Sequence, residues 1–154
     1  MASQHSYALT AEWTGNRGDG TTGYRDYGRN VVLRADGRPD LLASADTPFR
    51  GDPDRWNPEE LLLAALSECH LLSYLHVAVQ HGVVVTGYTD AATGEMTVTP
   101  DGAGHFTRVD LRPSVVLANE SQRGLADSLH GQANRLCFIA NSVNFPVHHA
   151  PVAP

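Results

Sequence analysis

The chain has no lysine, and all eleven of its cationic residues are arginines. This excludes a lysine nucleophile or Schiff base. Together with a net charge of −6, it argues against nucleic-acid binding, which needs clustered positive charge to displace counterions. Two cysteines in 154 residues are too few for a disulfide scaffold and read as thiols or as a redox pair. The start, "MASQHSYALTAEW", has no basic opening followed by an apolar core, so no signal peptide is expected. No apolar stretch nears the roughly 18 residues of a membrane span, and the expected compartment is the cytoplasm. There is no internal repeat and no low-complexity tract, and the length suits one domain, residues 1–154.

What is present divides by periodicity. His5–Trp13 and Tyr24–Asp36 alternate and read as two strands joined through a turn region, Thr14–Gly23. Gly37–Trp56 is irregular, rich in Asp, Pro and Gly, and long enough to suggest a functional loop. The next stretch, "NPEELLLAALSECHLLSYLHVA", predicts a helix from Asn57 to about Gln80. Asn57 is its N-cap, Pro58 its first position, Glu60 its capping-box residue and Gly82 its stop. Leucine, alanine and valine cover most of its circumference, and a helix apolar all round is expected to be buried all round. One small sheet cannot wrap it, so a partner subunit is expected. Val83–Ala91, Glu95–Pro100 and His105–Leu117 then read as a three-stranded antiparallel set. Asn119–Val143 predicts a second helical region with Leu125, Leu129, Ala133 and Leu136 on one face, and a short strand and a tail follow it. The fold class is α+β, with one cysteine on each helix: Cys69 and Cys137.

A thiolate attacks peroxide oxygen, whereas a thiol does so poorly. A cysteine among Leu66, Leu72 and Ala65 needs a permanent cation to hold its charge, and arginine supplies one. A carboxylate can aim that arginine through paired hydrogen bonds. Once a sulfenic acid forms, a second thiol condenses with it and blocks further oxidation. Against this stand plainer readings. A buried cysteine is ordinarily a small hydrophobe, Glu59 and Glu60 suit the dipole of a helix start, and Arg25 and Arg29 suit a solvated strand face. His70 and His76 lie near Cys69, but no zinc-type ligand spacing accompanies them, so no metal is expected. His148 and His149 read as surface residues.

"RWNPEELLLAALSECH", followed far downstream by "ANRLCFIANSVNFPV", resembles the OsmC/Ohr family, the osmotically inducible and organic hydroperoxide resistance thiol peroxidases. The likeness spans essentially the whole chain. It rests on Asn-Pro-Glu-Glu-Leu, a cysteine ten residues after the first Glu, and a second cysteine in a later helix. It implies antiparallel sheets around a long central helix in an intertwined homodimer, and cysteine-based reduction of organic hydroperoxides with no cofactor. A dithiol, of lipoyl type, is the implied reductant. By motif, Cys69 is the peroxidatic cysteine, Cys137 the resolving cysteine and Glu59 the family-type glutamate. An arginine from the amino-terminal region would complete the site. Both Arg25 and Arg29 fit that place, with Arg29 favoured beside "VVL" and Arg50 a third candidate. The chain departs from the family pattern at His70 and Phe138, which follow the two cysteines. Two other classes stay open: a cysteine hydrolase with His70 or His76 as base, and an apolar-ligand binding protein. Glu59 and Cys69 stand roughly 15 Å apart along one helix, so either an arginine held by Glu59 reaches Cys69 or, more simply, Glu59 and the arginine come from one subunit and Cys69 from the other.

Overall fold

The computed structural model describes residues 3–154. Its contacts divide between Leu61 and Leu62 into two compact units. In the first, β1 (Thr10–Trp13), β2 (Val31–Arg34) and β3 (Leu41–Ala43) form an antiparallel sheet in that order. Here β2 is shorter than its pattern predicted. Residues 24–26 form a turn, closed by Asp26 N–H on Gly23 O at 3.0 Å, and the strand begins only at the β-branched Val31. The backbones of Gly15 and Gly28 approach closely: a Cβ at Gly15 would lie 2.0 Å from Gly28 O. Arg25 and Arg29 therefore lie outside a regular strand. Conversely, β3 lies within the segment expected to be irregular.

Helix α1 (Pro58–Gln80) matches its prediction. The Asn57 side chain accepts the Glu60 N–H at 2.8 Å, supplying one bond that the first turn cannot make internally. At the other end Val83 N–H reaches Ala78 O at 2.9 Å, with Gly82 at φ 69°, a conformation a side chain would strain. The helix is not sealed all round. Its buried residues, Leu66, His70, Tyr74, Val77 and Ala78, form one stripe, while Leu72 and Val79 are 57% and 78% exposed. By length and composition α1 does qualify as a candidate membrane span, contrary to the sequence expectation. Its stripe is packed in protein, however, and carries two hydrogen-bonded polar side chains.

The second unit holds two ladders rather than one three-stranded set. β4 (Val85–Asp90) pairs with β7 (Pro113–Leu117), and β5 (Thr93–Val98) pairs with β6 (Gly104–Leu111). The stretch read as one strand breaks at Arg112. Asp90 takes the Arg112 N–H at 2.7 Å, and Pro113 has no N–H to continue a ladder. The tail strand β8 (Val147–His149) runs parallel to β6. The second helical region is also divided, into α2 (Arg123–Ser128) and α3 (His130–Leu136). Its buried face is Ala126, Leu129, His130, Ala133 and Cys137. Leu125 and Leu136 are 42% and 43% exposed, so the face is turned by about one residue from the predicted one.

Two apolar clusters fill this unit. One gathers Tyr74, Val77 and Ala78 with Val115, Leu117, Ala126, Leu129 and Ala133. The other gathers Leu66 with Val109 and Leu111, flanked by Phe106, Ile139 and Phe145. On the α1 stripe His70 sits between Leu66 of the second cluster and Tyr74 of the first.

Candidate active site

The two cysteines meet. Both thiols are free, and the Cys69 side chain lies close enough to act on Cys137. The Cys137 thiol is pushed up to about 11, mainly by burial and further by the Cys69 side chain, with the Ala140 N–H opposing. That N–H lies 3.4 Å from Cys137 Sγ. Cys137 caps α3 and is 1% exposed, whereas Cys69 is half-buried. Cys69 is thus less buried than its apolar surroundings in the sequence suggested: Leu72, counted among its neighbours, is itself exposed. The arrangement is asymmetric, with one thiol partly exposed and the other sealed and held protonated.

Beside the thiols lies a histidine cluster. His70 Nε2 and His130 Nδ1 are 3.0 Å apart, and both residues are sealed from solvent. Their ring planes differ by only 8° with centroids 5.3 Å apart. That separation is filled by the hydrogen bond and two ring radii, so the rings meet nitrogen to nitrogen, not face to face. The Tyr74 ring does cover the His130 face, at 4.1 Å and 16°, and its hydroxyl donates to Ala126 O at 3.1 Å. His149 completes a triangle, 5.5 Å from His70 and 6.2 Å from His130. It is partly buried, which corrects its reading as a surface residue. Burial holds His70 down at about 4, with His149 adding to that and Asp90 opposing. Burial holds His130 down at about 3, helped by His70 and His149. His70 Nδ1, His130 Nε2, His149 Nδ1 and the Tyr88 hydroxyl are buried without a partner. Among the described residues no cluster of three ligating side chains could hold a metal ion.

His70, held down at about 4 by burial, is therefore a poor general base for Cys69. His76 is exposed and bonds Gln80 at 3.0 Å.

The remaining candidates lie in the first unit or at the start of α1. Arg29 donates to Tyr27 O at 2.5 Å and Tyr24 O at 2.7 Å, and lies over both tyrosine rings at 3.9 and 4.5 Å. Arg25 is exposed. Arg50 adopts a left-handed φ of 65° and, with Arg17 and Asp52, lines a polar concavity of about 330 Å³. Glu59 has a buried Oε2 with no partner, and Arg55 a buried Nη1 with none. Arg55 and His130 escaped the sequence reading, and His149 was placed on the surface. Arg55 was visible as the first letter of "RWNPEE". His130 was hidden inside a helical stretch read through its leucines.

The family model described as OsmC-like protein matches residues 51–150. An uncharacterized protein of Bacillus subtilis, YmaD, is 28% identical over 93% of this chain and 89% of its own length. An OsmC-like protein of unknown function from Vibrio cholerae has a solved structure similar to this one at a TM-score of 0.85. It is 31% identical, over 97% of this chain and all of its own. An organic hydroperoxide resistance protein from Elizabethkingia anophelis shares the fold at a TM-score of 0.70. It is 17% identical, over 99% of this chain and 98% of its own.

Proposed function

The chain belongs to the OsmC-like family, and from that premise we propose that it is a thiol peroxidase reducing organic hydroperoxides. The observation that carries the reading is the pairing of a half-buried Cys69 with a sealed, protonated Cys137. Cys69, as thiolate, attacks the terminal peroxide oxygen. The O–O bond breaks, and the alcohol leaves with the proton given up by the thiol. The sulfenic acid on Cys69 is then attacked by Cys137, the S–S bond forms, and water departs. Cys137 suits the second role because a thiol held near 11 leaves peroxide alone. The two electrons are restored by exchange with an external dithiol, of lipoyl type by family resemblance. Glu59 with Arg29 or Arg25 completes the site in this reading. The unpartnered Glu59 Oε2 is in keeping with a carboxylate that awaits a cation.

A homodimer is part of the same proposal. The outward Leu72 and Val79 of α1 leave an apolar helix partly open in a single chain.

The test is thiol titration before and after one equivalent of an organic hydroperoxide. Loss of both thiols, with one disulfide per chain by intact mass, is expected. Loss of neither would refute the reading. For the shared site, refolding Glu59→Ala together with Cys69→Ser should restore one working site per heterodimer. Confirmed subunit exchange without activity would refute sharing.

A further inference from the structure

Nothing in the peroxidase chemistry requires His70 or His130, yet they form a buried side-chain pair at the heart of the second unit. The pair bridges two particular elements. His70 directly follows Cys69 on α1, and His130 opens α3, the helix that Cys137 caps. His130 and Cys137 share the buried face of α3, seven residues and two turns apart. Among the described residues, the His70–His130 bond is the one side-chain hydrogen bond between α1 and α3. Tyr74 ties α1 to α2 instead, through Ala126 O.

Resting on the peroxidase reading, the geometry points to His70 and His130 as positioning residues, a latch that holds the cysteine-bearing helices in register for the Cys69–Cys137 disulfide. Two features make a histidine pair suited to this. Each neutral imidazole offers one donor and one acceptor nitrogen. The bond therefore forms whichever ring carries the shared proton, and it fixes both ring planes. The pair is also enclosed on several sides. Tyr74 of α1 covers one ring. His149 of β8 and Asp90 of β4 are the other titratable groups acting on the pair. A disulfide tolerates little error, with Cβ atoms about 3.8 Å apart. A register held by one specific bond therefore changes the effective concentration of one thiol at the other, with no change in the chemistry of either.

The experiment equilibrates the full chain, at fixed protein concentration, in buffers of reduced and oxidised glutathione. In that exchange oxidised glutathione takes the two electrons and leaves as two thiols. The quantity read is the equilibrium constant for the Cys69–Cys137 disulfide. His130→Phe, which keeps the volume and removes the bond, is expected to lower it at least tenfold. His130→Asn, whose amide reaches about as far as Nδ1, is expected to restore it to within about twofold of the parent. Tyr74→Phe, which removes a buried bond elsewhere on the same helix, is expected to leave it within about twofold. Equal constants for parent and His130→Phe overturn the latch. So does a Tyr74→Phe loss as large as that of His130→Phe, or a His130→Asn variant as impaired as His130→Phe.

If His130→Phe does not fold, imidazole nitrogen NMR of the parent decides. The same hydrogen-bonded nitrogen signals in the dithiol and disulfide forms support the latch, and loss of the bond on oxidation overturns it. A parent that reduces hydroperoxide and forms the disulfide, beside an unimpaired His130→Phe, means that only the latch is wrong. A parent that forms no disulfide in glutathione removes the resolving step of the proposed function, and the latch with it.

Discussion

Acid should weaken this protein through two particular side chains. His70 and His130 are sealed, hydrogen-bonded to each other, and held down at about 4 and about 3 by burial. In the unfolded chain a histidine titrates near 6.5. Between those values the unfolded state binds protons that the folded state refuses. Stability is therefore fully present above about pH 6.5 and falls as the pH drops toward 4. Each pH unit across that window removes about 1.4 kcal/mol per histidine. At about pH 5, some 1.5 units below the unfolded value, one histidine has lost about 2 kcal/mol and two independent ones about 4 kcal/mol. A domain of this size is commonly stable by about 5–15 kcal/mol, so the loss is a large share.

The assay is urea unfolding at about pH 7 and pH 5, at fixed protein concentration because a dimer's stability depends on it. Carboxylates also titrate, so the parent is compared with His70→Gln/His130→Asn, which keeps an amide pair and removes both imidazoles. The parent should lose at least about 2 kcal/mol more than the variant between the two pH values. Equal losses would refute the argument that these histidines are held neutral by burial.

Three further outcomes are expected. With a thiol held near 11, Cys137 presents on the order of one thiolate per thousand at about pH 8. Iodoacetamide at that pH should therefore label Cys69 first by peptide mapping, and equal labelling of Cys137 would contradict its burial. Leu66→Ala removes a fully buried side chain from the cluster with Val109 and Leu111. It should cost about 2–5 kcal/mol in denaturant unfolding, and a loss below about 1 kcal/mol would mean that the site collapses around the gap. Asn57→Ala deletes the cap that receives the Glu60 N–H. It should cost about 1 kcal/mol, with Asn57→Asp close to the parent, and an Asp variant as weak as Ala would reject the capping role.

By itself the sequence determined the features that depend on near neighbours. The central helix, its asparagine cap and its glycine stop follow from residues a few positions apart, and the structure has them at Asn57, Pro58–Gln80 and Gly82. The OsmC-like character was also legible, because the motif from Asn57 to Cys69 and the distant Cys137 sit in linear register.

What the tertiary structure decided depends on partners far along the chain. Alternation could not show that His105–Leu117 divides at Arg112, since Asp90 makes that break from twenty-two residues away. Nor could helical period show which thiol is sealed, because exposure is set by what packs over each face, and Ile139 and Ala140 fold back beside Cys137. His149 was read as surface because it lies near the terminus. The parallel pairing of β8 with β6 instead brings it to His70 and His130. A histidine's role rests on whether its nitrogens meet water or one another, and that is fixed by burial, which no local pattern encodes.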